Sequence, residues 1–434
     1  MNITYTKDLP VKFHTDIFIA GGGPAGIAAA VTAARAGRSV FLGETFGSFG
    51  GAAAHALVPA FMPFTDGVNF LAGGFGKEVF DYIKENCPSA AKDYCPDSIP
   101  IETLKLCYDQ MAQKAGVEFS FFTSVIDTVT EKGRVTHAIC SAKGEIFAVK
   151  ADFFIDCTGD GDMCALSGAQ FEKGDNTGEM MAATLCGLWA NIDWPRVNGP
   201  DSRELEGAFE DKIFTNEDRH LPGMWRIMKG VGGSNAGHVY DIDGTNADSL
   251  TQGMIKGRKQ LLEYRKYYRG YLSGFENAEL IATAAQIGIR ETRRIAGDYK
   301  LCMNDFFERA VFEDEIGRFS YPVDIHAGKN TSAGYNEYKE KYQKQRYEKG
   351  ENYGIPYRSL LVKGLDNLLS AGRCISADRA MQSSVRVMPG CFITGQAAGM
   401  AAAIAAEENR NLRDIDIKVL QKSLKDIGAY LPNC

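Results

Sequence analysis

The stretch Gly21-Gly22-Gly23-Pro24-Ala25-Gly26 restricts what this chain can fold into more than any other feature. The apolar run Asp16-Ile17-Phe18-Ile19-Ala20 precedes it and reads as a buried parallel strand. An Ala-rich helix from Ile27 to Ala36 follows, stopped by Gly37. Ser39-Val40-Phe41-Leu42 is a second strand that ends at Gly43-Glu44, which completes one βαβ unit. Each glycine then has a physical role. Gly21 permits the tight turn, Gly23 lets the backbone approach a pyrophosphate, and Gly26 lets the helix pack closely on the strand. Pro24 and Ala25 open the helix, whose free N–H groups and dipole favour an anion at this end. Ala30 and Ala34 continue the small face. Glu44 lies 18 residues after Gly26, where a carboxylate can accept hydrogen bonds from ribose hydroxyls and would repel a 2′-phosphate. A tight turn without a ligand leaves Glu44 unexplained, so the pattern points to dinucleotide binding.

Composition removes several other classes. The chain has 434 residues, with 48 Lys+Arg against 55 Asp+Glu and a formal net charge of −7. That balance lacks the basic stripe of a nucleic-acid binder and argues against attraction to anionic membranes. No run of 18 apolar residues exists, and the longest Ala-rich candidate is Ala397 to Ala406, so no membrane span is expected. The first apolar run leads straight into a glycine turn, unlike a signal peptide. A soluble, cytoplasmic protein is the expectation. The 11 cysteines contain no CxxC pair and no zinc or iron–sulfur spacing, so no metal site is expected and most cysteines read as small buried hydrophobes. Among the 47 glycines, the pairs Gly50-Gly51 and Gly73-Gly74 suggest further cofactor loops.

Along the chain, residues 70 to 116 read as helical with breaks near Pro88 and Pro96, and Thr103 to Ala115 is the clearest helix. Val117 to Phe122 reads as a strand. Ser124–Thr130, Val135–Ser141 and Glu145–Val149 read as an antiparallel meander turning at Gly133 and Gly144. Asp152 to Asp156 is a separate buried strand that ends at Cys157-Thr158-Gly159-Asp160. Residues 176 to 354 carry all three tryptophans and most tyrosines, and read as an inserted α+β substrate domain. Within it, Tyr335 to Tyr353 reads as a solvated amphipathic helix. Leu365 to Leu369 returns as a strand, and a helix starts at Pro389 and runs to about Glu407. The expected architecture is α/β: a discontinuous Rossmann-type domain made from residues 1–175 and 355–434, around the insertion.

Three further segments narrow the cofactor. Thr158-Gly159 stands at a strand end. Leu369-Ser370-Ala371-Gly372-Arg373 precedes Arg386-Val387-Met388-Pro389-Gly390 and the helix with Gly395-Gln396. Ile289-Arg290-Glu291-Thr292-Arg293-Arg294-Ile295 forms an internal motif. Together they resemble the flavoprotein superfamily of the glutathione-reductase type. Within it the chain is similar to the FAD-dependent oxidoreductase family that includes the flavin part of heterodisulfide reductase. The resemblance covers most of residues 15–175, then 285–300 and 355–407, and is weakest across 190–280. It implies tightly bound FAD and redox chemistry on a separate substrate. It assigns Gly21, Gly23, Pro24, Ala25, Gly26 and Glu44 to the ADP-binding motif, Gly50 and Gly51 to the loop under the flavin or pyrophosphate, and Val125 to adenine. It assigns Gly159 and Asp160 to a second dinucleotide contact, and Gly372, Arg373, Gly390 and Gln396 to the return toward the flavin ring. Two departures matter: the four-cysteine cluster motifs and the CxxxxC redox disulfide are both missing.

Candidate catalytic residues are His55, Arg290, Arg294 and Arg386. His55 follows Gly50-Gly51 closely and titrates near neutrality, as a catalytic or a flavin-packing histidine. On a helix Arg290 and Arg294 would share a face, as a carboxylate clamp beside the flavin or as part of a buried ion-pair network. Arg386 would add positive charge where the Pro389 helix dipole meets the flavin, or serve as a structural ion-pair partner. Gly395 and Gly399 would form a flat face for packing on the sheet. His238 and His326 fall in the substrate region. The implied activity is hydride transfer between a small polar substrate and flavin N5, with re-oxidation by an unidentified acceptor. The alternatives are a flavin-binding electron-transfer subunit and an NAD enzyme without flavin. Oligomeric state has no sequence signal.

Overall fold

The computed structural model describes residues 3–87, 98–198, 202–220, 222–329 and 345–434. Its strands are β1 (Val11–Ala20), β2 (Val40–Gly43), β3 (Glu118–Ser120), β4 (Thr123–Glu131), β5 (Arg134–Ala142), β6 (Glu145–Asp156), β7 (Phe171–Lys173), β8 (Gly187–Ala190), β9 (Gly223–Met228), β10 (Val231–Asn235), β11 (Glu279–Thr283), β12 (Arg293–Ile295), β13 (Glu315–Phe319), β14 (Tyr353–Pro356) and β15 (Leu368–Ser370). The principal sheet runs β3-β2-β1-β6-β5-β4, and β15 also pairs with β6. Strands β3, β2, β1, β6 and β15 are mutually parallel, whereas β4, β5 and the start of β6 run antiparallel. The fold is therefore mixed α/β around a parallel sheet, as the βαβ unit requires.

One boundary differs from the sequence reading. Glu145–Val149 and Asp152–Asp156 are not two strands but one, β6, because β1 pairs along it from Ala148 to Asp156. Its first half closes the meander with β5, and its second half accepts β15 in register Leu368↔Phe154 and Ser370↔Asp156. A strand end at residue 156 and a return at 368 thus meet beside Ala20, at the carboxyl edge of the sheet, where ligands bind in open α/β folds.

The helix Pro24–Arg35 crosses from β1 to β2, with Gly23 as its N-cap and no side chain capping it. A Cβ on Gly26 would stand 1.8 Å from the Gly21 carbonyl oxygen, so only glycine lets this helix sit so low on the turn. The helix Met388–Glu408 lies against it and is buried at every position from Met388 to Ala405. It is long and apolar enough to cross a membrane by composition alone, yet its apolar window is wholly buried within the protein, as in a core helix. Gly395 and Gly399 allow the approach: a Cβ at each would come to 2.1 and 2.2 Å from the carbonyl oxygens of Ala25 and Ala29. The flat glycine face therefore meets the first helix and not the sheet. Gly73 and Gly74 are also packing positions. Their Cβ atoms would meet Gly428 O at 2.2 Å and Gln396 Oε1 at 2.6 Å.

A four-stranded sheet, β11-β8-β10-β9, packs with the long helix Ala247–Tyr271. Its apolar cluster draws on residues from Ala183 to Ile287, including Trp189, Tyr264, Tyr267 and Tyr268. Leu301, Phe306, Phe319, Tyr353 and Tyr357 instead join the cluster beneath the principal sheet. The expected insertion 176–354 thus divides its apolar side chains between two cores. Residues 284–292 are irregular and 293–295 form β12, which pairs with β7, so Arg290 and Arg294 do not share a helical face. Of the helix expected over 335–353, positions 335–344 lie outside the described residues and 345–348 are not helical.

Candidate functional site

The Gly21–Gly26 turn opens onto a groove of about 1680 Å³, lined by Gly21, Gly23, Glu44, Gly51, Val125, Thr158, Asp160 and Arg373, among others. Gly23 is informative because the protein itself does not require it to be small. The nearest atom to a Cβ there is Gly51 Cα at 3.8 Å, and the position faces the groove. The side-chain-free backbone suits a ligand that comes closer than any protein atom does, at an uncapped helix N-terminus where an anion is favoured. Gly50 and Gly51 stack onto this turn: Gly50 N donates to Gly22 O at 2.9 Å, and both glycines have positive φ, 118° and 49°.

Glu44 does more than wait for a ribose. Its Oε2 accepts from Gly22 N at 2.6 Å and its Oε1 from Phe46 N at 2.8 Å, so the carboxylate holds the glycine turn in shape. Burial raises its pKa above the ordinary glutamate value, with the Phe46 and Gly22 N–H groups pulling the other way. Asp156 plays the matching part at the end of β6. It accepts from Thr158 N at 3.0 Å, Thr158 Oγ1 at 2.7 Å and Cys164 N at 2.8 Å. Asp160 accepts from Thr292 Oγ1 at 2.8 Å and from Arg373 at 2.6 Å, and the same arginine donates to the carbonyls of Gly159 and Ile289 at 2.8 and 3.0 Å. Arg373 therefore ties the two ends of the groove together. Gly372, at φ 84°, has only Ala25 Cβ and Cys391 Sγ near its missing side chain.

Several expected site residues sit elsewhere. Gln396 bridges Gly73 O and Phe75 N at 3.2 and 3.1 Å in the helix packing, and it lines neither this groove nor the cavity beside it. A Cβ on Gly390 would meet Val385 O at 2.3 Å, so its smallness serves the turn between two helices. His55 stacks on Phe46 with ring centroids 4.2 Å apart, bonds Ser48 O at 3.0 Å, and lines neither space; burial lowers its pKa. Arg294 pairs with buried Glu291, reaches Gly174 O at 2.9 Å, and likewise faces neither space. Arg379 completes that network on Glu291 at 2.9 Å.

Arg290 and Arg386 are a different matter. Both line a second, smaller cavity with Arg373, Asp324, His326, Tyr321 and Cys186, where Val387 and Met388 present the start of the core helix. Ala52, Ile289 and Arg373 line both spaces, so the second cavity adjoins the groove. Arg386 donates to Asp324 Oδ2 at 3.2 Å, and its Nε is buried with no partner among the described residues. Arg290 donates to Ala182 O, Thr184 Oγ1 and Asn235 Oδ1 at 2.8, 2.9 and 3.3 Å, all neutral acceptors. Burial and the neighbouring Arg386 lower the Arg290 pKa to about 10. Arg373 is paired with Asp160, so Arg290 and Arg386 face Asp324 here with a formal excess of one positive charge in a partly closed space. Asp324, Thr184 and Asn235 carried no sequence signal, because each reaches the cavity from a separate segment.

Across residues 16–424 the chain matches the family model described as FAD dependent oxidoreductase, and the protein belongs to that family. It is an FAD-dependent oxidoreductase. Among solved structures it is similar to p-nitrophenol 4-monooxygenase from Pseudomonas putida, at 12% identity over 95% of this chain and 84% of that one, with a TM-score of 0.50. A flavin-dependent brominase follows at 14% identity over 95% and 83%, with a TM-score of 0.48. A geranylgeranyl bacteriochlorophyll reductase-like protein from Thermoplasma acidophilum gives 13% over 96% and 83%, with a TM-score of 0.44. No curated protein matches the chain in sequence. The groove fits the family cofactor: the uncapped helix and Gly23 suit a pyrophosphate, Glu44 lines the same groove, and the adjoining cavity leaves space beyond.

Proposed function

We propose that this enzyme transfers a hydride between FAD and a small polar substrate that carries an anionic oxygen group, such as a carboxylate. FAD, when bound, supplies the hydride chemistry at N5. Gly21, Gly23, Glu44, Gly51, Val125, Thr158 and Asp160 would hold its nucleotide half, and the residues around Arg373 would meet its ring. Arg290 and Arg386 bind and orient the substrate's anionic group. The start of the helix Met388–Glu408, at Val387 and Met388, adds a dipole that favours negative charge in the same space. A separate electron acceptor re-oxidises the enzyme.

One observation carries this reading: Arg290 and Arg386 line one cavity, Arg290 donates only to neutral acceptors, and no ion pair among the described residues involves it, with Asp324 and Asp218 acting on it only at longer range. A desolvated cation with no carboxylate in hydrogen-bond contact is stabilised when an anion arrives. The test is anaerobic titration of the oxidised holoprotein with small hydroxy carboxylates, paired with their uncharged amides. Bleaching of the flavin absorbance by an acid and not by its amide is the expected result. Equal bleaching by both members of a pair overturns the anionic-substrate assignment.

A further inference from the structure

Three histidines distant in sequence, His220, His238 and His326, each bring one ring nitrogen to within 4.8 Å of the others. They come from irregular segments on either side of β9 and β10 and from the loop after β13. Each imidazole has a carboxylate behind it. The Asp218 carboxylate lies 2.8 Å from Nδ1 of His238 and 3.1 Å from Nδ1 of His220, and Asp324 Oδ1 lies 3.3 Å from Nε2 of His326. Those contacts fix the ring orientations and turn Nε2 of His238 toward Nδ1 of His326, 2.7 Å away. A carboxylate behind each of several converging histidines is the arrangement that orients metal ligands and raises their basicity.

We propose that His220, His238 and His326 bind one divalent transition-metal ion of the zinc class. Three imidazoles with no carboxylate in the first set favour zinc or its neighbours in the transition series over magnesium or calcium. Ligand nitrogens about 2.0–2.1 Å from a tetrahedral ion stand roughly 3.3 Å apart, so the His238–His326 pair opens by about 0.6 Å when the ion enters. In this arrangement Nε2 of His220 is the third ligand atom. His326 also lines the cavity of Arg290 and Arg386, whereas His238 lines a separate pocket with Tyr240 and Lys329, so the ion sits in the wall between the two. Its fourth position is open to water or to a substrate oxygen. The assignment does not depend on the flavin reading.

The competing arrangement is a metal-free hydrogen-bonded relay, Asp218–His238–His326–Asp324, in which His238 and His326 share one proton. Zinc content separates the two. The full-length holoprotein is treated with a chelator, incubated with zinc chloride, desalted, and assayed for zinc by mass spectrometry and for FAD by absorbance. One zinc per chain is expected, with competition against a chromophoric chelator giving the affinity. Asp218→Asn should weaken that affinity about 10- to 100-fold with FAD content unchanged. His238→Ala and the less buried His220→Ala should each lose the ion, and circular dichroism identifies any variant that has not folded. Zinc no higher in the wild-type protein than in folded His220→Ala overturns the proposal and leaves the relay. FAD content reads out independently, so failure here leaves the flavin assignment standing.

Discussion

The groove and the adjoining cavity are built in opposite ways. The wall of the groove at the glycine turn is mostly backbone: a turn at Gly21–Gly26, a loop at Gly50-Gly51, and two buried carboxylates, Glu44 and Asp156, that hold N–H groups in place. The cavity is mostly side chain from distant segments, with Thr184, Asn235, Arg290, Asp324, His326 and Arg386 converging on one space. A local backbone site is written into spacing, and a convergent side-chain site is not. Under the proposed function, the groove holds the family's cofactor and the cavity receives the substrate.

The largest effects are expected at the glycines. Gly26→Val places a side chain on the Gly21 carbonyl and should prevent folding, read as loss of soluble protein. A Cβ at Gly23 has 3.8 Å to its nearest atom, so Gly23→Val should fold yet lose FAD. A folded Gly23→Val protein that retains full flavin would remove the pyrophosphate from this turn. The next largest effect divides the arginines. Arg294→Ala leaves buried Glu291 with Arg379 and the Met181 N–H only and should lower stability by about 1.5–3 kcal/mol in chemical denaturation, with turnover per folded molecule unchanged. Arg386→Ala should do the reverse. It should keep its flavin and lower kcat/KM about 10- to 100-fold, the range of about 1.5–3 kcal/mol for a hydrogen bond to a charged group.

The smallest effect concerns Glu44. Burial raises its folded-state pKa, so the native protein holds this proton more tightly than the unfolded chain. The contribution is fully present below the unfolded pKa and is lost as pH rises through the folded one. With flavin removed, unfolding free energy measured against pH should fall across that window in the wild-type protein. In Glu44→Gln the same curve should be flatter. Identical slopes would place the proton elsewhere.

Legibility followed the same division. The βαβ unit, the meander and the core helix are readable because each is local and periodic, and the structure places them within a few residues of the sequence reading. The segment Ile281–Ile295 misleads because apolar residues interspersed with charges mimic an amphipathic helix. Its real partner, β7, lies about 120 residues earlier and no local pattern announces it. Gln396 misleads differently: it follows the flavin-facing turn in sequence, but the helical twist carries it round to Gly73 and Phe75. His55 is near the groove in sequence, yet its ring is taken up by Phe46 and Ser48. The histidines at 220, 238 and 326 share no spacing at all, and only the tertiary fold shows Asp218 behind two of them.

The most direct test of the account is an absorbance spectrum of the purified protein before and after acid precipitation, with the released compound identified. Flavin absorbance is expected, with FAD released to the supernatant at close to one equivalent. A protein that shows no flavin absorbance even after incubation with FAD, while remaining folded, would contradict it.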